Sequence, residues 1–209
     1  MAEASSALVR GADGRRRCCW STSAEDYLSY HDDERGRPVL ADEALFERLC
    51  LEAFQSGLSW LTILRKRENF RAAFSDFQTP VVAGYGSREI ARLMADAGIV
   101  RNRKKIEAAI ANATSAIDLI DDHGSLAAFV WQFRPARPPA PRKRADLPAV
   151  TDESTALAAE LKRRGFRFVG PTTSYALMQA AGVVNDHLVG CHVRRAAGAE
   201  QTAAVKALS

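Results

Sequence analysis

The chain has 209 residues, 47% of them hydrophobic and 26% charged, with a formal net charge of +4. That length buries a real core as one domain or two lobes, and the mild basic excess permits a polyanionic partner without demanding one. Four cysteines are too few for a disulfide scaffold, no apolar run reaches the roughly 18 residues of a membrane span, and the first residues lack a leader's apolar stretch; a reduced, cytoplasmic protein with no membrane partner is expected.

Residues 1–16 are small, polar and glycine-containing, and read as a disordered tail with a basic end. From residue 41 the pattern turns helical, with Leu45, Phe46, Leu49, Cys50, Ala53 and Phe54 at three- and four-residue steps. Gly57 ends that helix. A second helix is predicted from 59 or 60 to 74, and others over 87–97, 104–120, 125–133, 151–164 and 171–181. Gly98 and Gly165 stand as C-terminal caps and Pro171 in a first turn. No useful run of strand alternation appears. Residues 134–148 hold five of the eight prolines and several basic residues, and read as a loop.

Leu45, Leu49 and Glu52 stand at i, i+4 and i+7 and share one helix face. A carboxylate beside an apolar stripe costs free energy unless something binds it. Two readings follow. Glu52 reaches solvent or pairs with Arg48, four residues before it, or it lines a pocket for a polar or cationic ligand. Trp60, at a helix junction, and Trp20, Tyr27 and Tyr30 upstream favour the second: together they describe an aromatic box with one anion.

Cys18 precedes His31 by thirteen residues, and His187 and Cys191 stand four apart, a spacing that shares one face if the segment is helical. Two Cys and two His are a closed tetrahedral set for structural zinc. Cys19 and His192 are adjacent competitors, and unrelated cysteines and histidines are the plain alternative. Residues 93–102 read as helix, glycine-centred turn and basic helix start, a form that offers backbone N–H groups to phosphates. Residues 170–174 are a second such helix start, or simply a well-capped one.

In order and spacing these residues resemble the DNA-3-methyladenine glycosylase I family of the helix-hairpin-helix glycosylase superfamily. The motifs are Arg17-Cys18, Trp20, Tyr27-x-x-Tyr30-His31-Asp32, Cys50-Leu51-Glu52, Gly57-Leu58-Ser59-Trp60, Arg67-Glu68-Asn69, Ala97-Gly98-Ile99, Arg164-Gly165-Phe166-Arg167-Phe168-Val169-Gly170 and Val184-Asn185-Asp186-His187. The resemblance implies an all-α fold of two helical lobes, with a glycosylase domain over 17–195 and a C-terminal tail over 196–209. It implies a monomer that binds double-stranded DNA carrying alkylated adenine and hydrolyses the N-glycosidic bond of N3-methyladenine. It implies structural zinc on Cys18, His31, His187 and Cys191, which selects against Cys19 and His192. Glu52 matches the pocket glutamate, Tyr30 and Trp60 the residues that hold the base, and Trp20 and Tyr27 the pocket wall. No lysine stands where lyase-type members carry one, so a monofunctional enzyme is expected. The chain departs from the family in carrying Arg35 where an Asp-Glu-Trp-Gly segment has its Trp, and Ala53 where Gly is common.

Overall fold

The computed structural model describes residues 8–208. The disordered tail expected over 1–16 lies outside those residues for 1–7, and residues 8–16 are ordered instead. Strands β1 (Leu8–Arg10) and β2 (Arg16–Cys18) form a small antiparallel hairpin pairing Leu8 with Cys18. Arg17 anchors it. The side chain is buried and its charge is spread over two carboxylates, Asp13 at 2.6 Å and Asp32 at 2.8 Å. Three-residue strands carry no alternation to detect, which is why the sequence pattern missed them.

The rest is mostly helical: α1 (Glu25–Ser29), α2 (Asp42–Gln55), α3 (Trp60–Ala73), α4 (Thr79–Ala83), α5 (Ser87–Ala95), α6 (Arg103–His123), α7 (Leu126–Trp131), α8 (Asp152–Arg163), α9 (Pro171–Ala180) and α10 (Arg194–Leu208). Helix α10 corrects the expected C-terminal tail. It is alanine-rich and lacks a strong apolar stripe, yet Ala197, Gln201 and Ala204, at i, i+4 and i+7, are buried. Gly98 is not a left-handed cap. α5 ends three residues earlier, and Gly98 packs in the turn with its carbonyl accepting from Lys66 Nζ at 3.1 Å. Gly165 does adopt positive φ, at 92°.

Helix α2 is the central element and packs against α3, α6, α7 and α9. Its first turn carries Asp42 and Glu43, which suit the positive helix end. At its other end Lys105 reaches in from α6 and donates to the carbonyls of Phe54 at 2.8 Å and Ser56 at 2.6 Å. The turn at Gly57, φ 82°, then hands the chain to α3, whose cap Ser59 accepts from the Thr62 N–H at 3.1 Å. Phe54, Phe70, Phe74 and Phe77 stack against one another on one side of α2, with the Phe74 and Phe77 rings 5.5 Å apart and nearly parallel. A smaller apolar cluster lies apart, made of Cys18, Leu188, Cys191, Val193 and Ala197. It joins the N-terminal hairpin to the start of α10.

Residues 36–39 cross the end of α9. Gly36 N–H donates to the Gln179 carbonyl and Val39 N–H to the Ala181 carbonyl, both at 3.1 Å. The crossing is close: a Cβ on Gly182 would stand 2.4 Å from the carbonyl carbon of Arg37. The loop 134–148 holds only a short 3-10 turn at Arg144–Asp146, and it docks on the C-terminal segment through Val189 N–H to the Pro141 carbonyl, 2.8 Å.

Candidate functional site

Two sites meet at the segment 18–35. The first is a cavity of about 450 Å³ between that segment, the end of α2, the start of α3 and α9. Four aromatics expected from the sequence line it. Trp20 comes from the 3-10 turn Cys19–Thr22, Tyr27 from α1, Tyr30 from the turn after α1 and Trp60 from the first residue of α3. Trp20 meets Tyr27 edge-on with centroids 5.7 Å apart, and Tyr30 tilts against Trp60 at 5.4 Å. The indole N–H of Trp60 is buried with no acceptor in the described protein.

Glu52 lines the same cavity and is only 5% exposed. The pairing with Arg48 is not made. Arg48 donates instead to Glu34 at 3.0 Å, and Arg67 holds the same carboxylate. Glu52 has no ion pair or hydrogen bond among the described residues. Burial pushes its carboxyl up to about 7, against the pull of the Arg35 and Arg48 charges. Behind it lie Leu49, Val169, Thr173, Ser174 and Leu177. The start of α9, which from sequence is either a phosphate-facing helix start or simply a well-capped one, turns Ser174 inward toward the back of Glu52.

Arg35 also lines the cavity, its guanidinium 5.2 Å from the centroid of the Trp20 ring. Sequence reasoning did not find the remaining walls. Gln179 and Ala176 come from α9, and Arg144 and Leu147 from the proline-rich loop, whose irregular pattern gives no sign of which side faces inward.

The second site is a buried group of Cys18, His31, His187 and Cys191, whose ligand atoms all lie within 4.8 Å of one another and could hold a metal ion. His31 Nε2 is 3.3 Å from His187 Nδ1 and 3.4 Å from Cys191 Sγ; His187 Nδ1 is 3.9 Å from Cys18 Sγ. His187 and Cys191 do not lie on a helix, the condition under which their spacing would put them on one face. A turn closed by Cys191 N–H on the Leu188 carbonyl, 2.9 Å, brings them together ahead of α10. The nearness of the two thiols raises Cys18 above and lowers Cys191 below the ordinary thiol range. The outward ring nitrogens are fixed: His31 Nδ1–H donates to Asp32 at 2.7 Å and His187 Nε2–H to the Arg35 carbonyl at 2.9 Å. Burial raises the Asp32 carboxyl, but hydrogen bonds from Arg17, His31 and His192 win and hold it well below the carboxylate range. Of the competitors, Cys19 lines the cavity and His192 bonds Asp32 at 3.0 Å.

The two sites share one device. Tyr30–Glu34 forms a single π turn, closed by Arg35 N–H on the Tyr30 carbonyl at 2.8 Å. Such a turn re-aims successive side chains. Tyr30 enters the cavity while His31, its neighbour, enters the buried cluster.

The methyladenine glycosylase family model matches residues 20–195. The DNA-3-methyladenine glycosylase 1 of Escherichia coli (strain K12) is 44% identical over 177 residues, which are 84% of this chain and 95% of that protein. A crystal structure of a 3-methyladenine DNA glycosylase I superposes with a TM-score of 0.81 at 43% identity, over 84% of this chain and 98% of the other. A structure described as the structural basis of 3-methyladenine recognition by the Staphylococcus aureus glycosylase I superposes with a TM-score of 0.80 at 37% identity, over 84% and 94%.

Proposed function

The chain belongs to the methyladenine glycosylase family, and from that premise we infer that it hydrolyses the N-glycosidic bond of N3-methyladenine in alkylated DNA, so starting repair of the lesion. The observation that carries the reading is Glu52, a carboxylate with no partner among the described residues, buried in a cavity walled by Trp20, Tyr27, Tyr30 and Trp60.

N3-methylation makes adenine a cation and weakens its bond to the sugar. The base leaves with the bond's electron pair and becomes neutral, water adds to the sugar carbon, and the water's proton goes to solvent. Such a leaving group needs no strong acid, so holding the base in the productive pose supplies most of the catalysis. The lesion must leave the stack to enter the cavity, and a damaged base does so more cheaply than a normal pair. Tyr30 and Trp60 stack on the flat cation, and Trp20 and Tyr27 close the wall. Glu52 accepts a hydrogen bond from the base edge and complements its charge. Its burial strengthens that attraction, because no water competes.

The absence of lysine from the lining among the described residues supports a monofunctional hydrolase, since no amine stands ready to attack the sugar. The turn between α5 and α6 is read as the helix-hairpin-helix element that holds double-stranded DNA. Arg101, Arg103 and Lys104 are exposed there.

Cys18, His31, His187 and Cys191 fit zinc. Tetrahedral zinc with two thiolates and two imidazoles sets its nitrogens about 3.3 Å apart and nitrogen from sulfur about 3.6 Å, and the cluster approaches both spacings. These four residues would hold the ion, which would supply a cross-link between the N-terminal hairpin and the segment ahead of α10. No helix among the described residues is long and apolar enough to cross a membrane. Free cysteines suit a reducing compartment, and the protein is read as a cytoplasmic monomer.

The test is release of 3-methyladenine from methylated duplex DNA by the purified chain. No release above the spontaneous rate refutes the assignment.

A further inference from the structure

Arg35 stands in the cavity with no carboxylate bonded to it among the described residues. Its neighbours Arg17, Arg48 and Arg67 are each paired with a carboxylate. Arg35 forms no ion pair among the described residues; its guanidinium lies over Trp20 and interacts with the Tyr30 hydroxyl. Its planar fork of N–H donors is therefore held by aromatic contact and left largely unspent. Glu52, a pure acceptor when ionised, lines the same cavity.

A guanidinium and a carboxylate in one cavity complement guanine. O6 and N7 of guanine form an acceptor edge that arginine meets with two bonds, and N1–H with the N2 amino group forms a donor edge for a carboxylate. Adenine presents an amino donor between two acceptors, so a guanidinium facing that edge meets a donor. Methylation at N3 leaves both guanine edges intact. The methylated forms of both bases are cations, so the charge of Arg35 opposes them equally and cancels in any comparison of the two. What remains is the match of donors to acceptors.

Resting on the reading of this cavity as the base site, we propose that Arg35 is a specificity-determining residue that turns the pocket toward N3-methylated guanine. Duplex DNA methylated at both purines is incubated with the wild type, Arg35→Trp and Arg35→Lys, and the freed bases are separated by chromatography. The ratio of 3-methylguanine to 3-methyladenine released falls roughly tenfold in both variants. Lysine keeps the charge but loses the fork, so its fall separates hydrogen bonding from charge. Unchanged ratios in the variants overturn the proposal. So does a wild type that releases 3-methyladenine and no 3-methylguanine, and that result leaves the function standing. A wild type that releases neither overturns both.

Discussion

His187 holds the backbone of Arg35. Its Nε2–H donates to the Arg35 carbonyl at 2.9 Å, while its Nδ1 faces His31 and the two cysteines. The buried cluster is thus mechanically continuous with the wall of the cavity. Cys191→Ser should therefore do two things. Elemental analysis should find about one zinc per wild-type chain and little in the variant, whose melting temperature should fall by several degrees. The variant should also bind 3-methyladenine more weakly, because Tyr30 and Arg35 flank the loosened segment. A native protein without metal and with unchanged melting would falsify the zinc claim.

Glu52→Gln removes the charge but keeps the shape. Base excision should fall roughly a hundredfold, an electrostatic loss of the size seen when a preorganised partner is removed from a site. The fold should survive, as circular dichroism will report. Release at the wild-type rate would remove Glu52 from the mechanism.

The same carboxyl gives a signed pH dependence. Burial raises it to about 7 in the folded chain, whereas an unfolded glutamate sits near 4.3. The folded state therefore holds this proton more tightly. Its contribution to stability is full below the unfolded value and is lost as pH rises through about 7, a change on the order of 3 kcal/mol. Urea denaturation at pH 5 and pH 8 should show the loss in the wild type and little of it in Glu52→Gln. Affinity for a cationic base should run the other way, rising between pH 6 and 8 as the carboxylate forms, with a flat profile in the variant.

Lys105 sits in a basic run, yet it points inward and caps α2 through the carbonyls of Phe54 and Ser56. Lys105→Met leaves those carbonyls unpaired. The cost should be about 2 kcal/mol by denaturant titration, as for hydrogen bonds to a charged group. Because Glu52 lies in the last turn of α2, excision should fall as well. Exposed Lys104→Met should leave stability within about 0.5 kcal/mol of wild type.

Gly182→Ala adds one methyl group where the Arg37 carbonyl leaves no space and φ is 71°. Backbone must move, and 36–39 with it. Soluble yield and melting temperature should both drop, and unchanged melting would show that the crossing is looser than drawn.

The long helices were legible because packing against one core imposes a period, and Leu45, Phe46, Leu49 and Phe54 display it. The aromatic box and the Cys/His set were legible as residue types, and the resemblance supplied their pairing. Other features had no local signal. The hairpin at Leu8–Cys18 is stabilised by Arg17 reaching Asp32, a contact made only after folding. Arg144 and Leu147 reach the cavity because the loop 134–148 docks on residues far along the chain. The unpaired state of Glu52 depended on Glu34 claiming Arg48, which spacing on α2 alone does not reveal.

The wall formed by residues 30–37 has its partners at the far end of the chain. The Gly36 carbonyl accepts from Gln201 at 2.8 Å, Arg37 pairs with Glu200, and the Arg35 carbonyl meets His187, across separations of 165, 163 and 152 residues. At about 5–20 residues per second, a ribosome makes the wall roughly 8–30 s before it makes what holds it. A chain released before His187 can bury much of α2 to α9, yet it lacks the partner of the Arg35 carbonyl and half of the Cys/His cluster. The wall is thus among the first parts of the molecule to be made and among the last to be fastened.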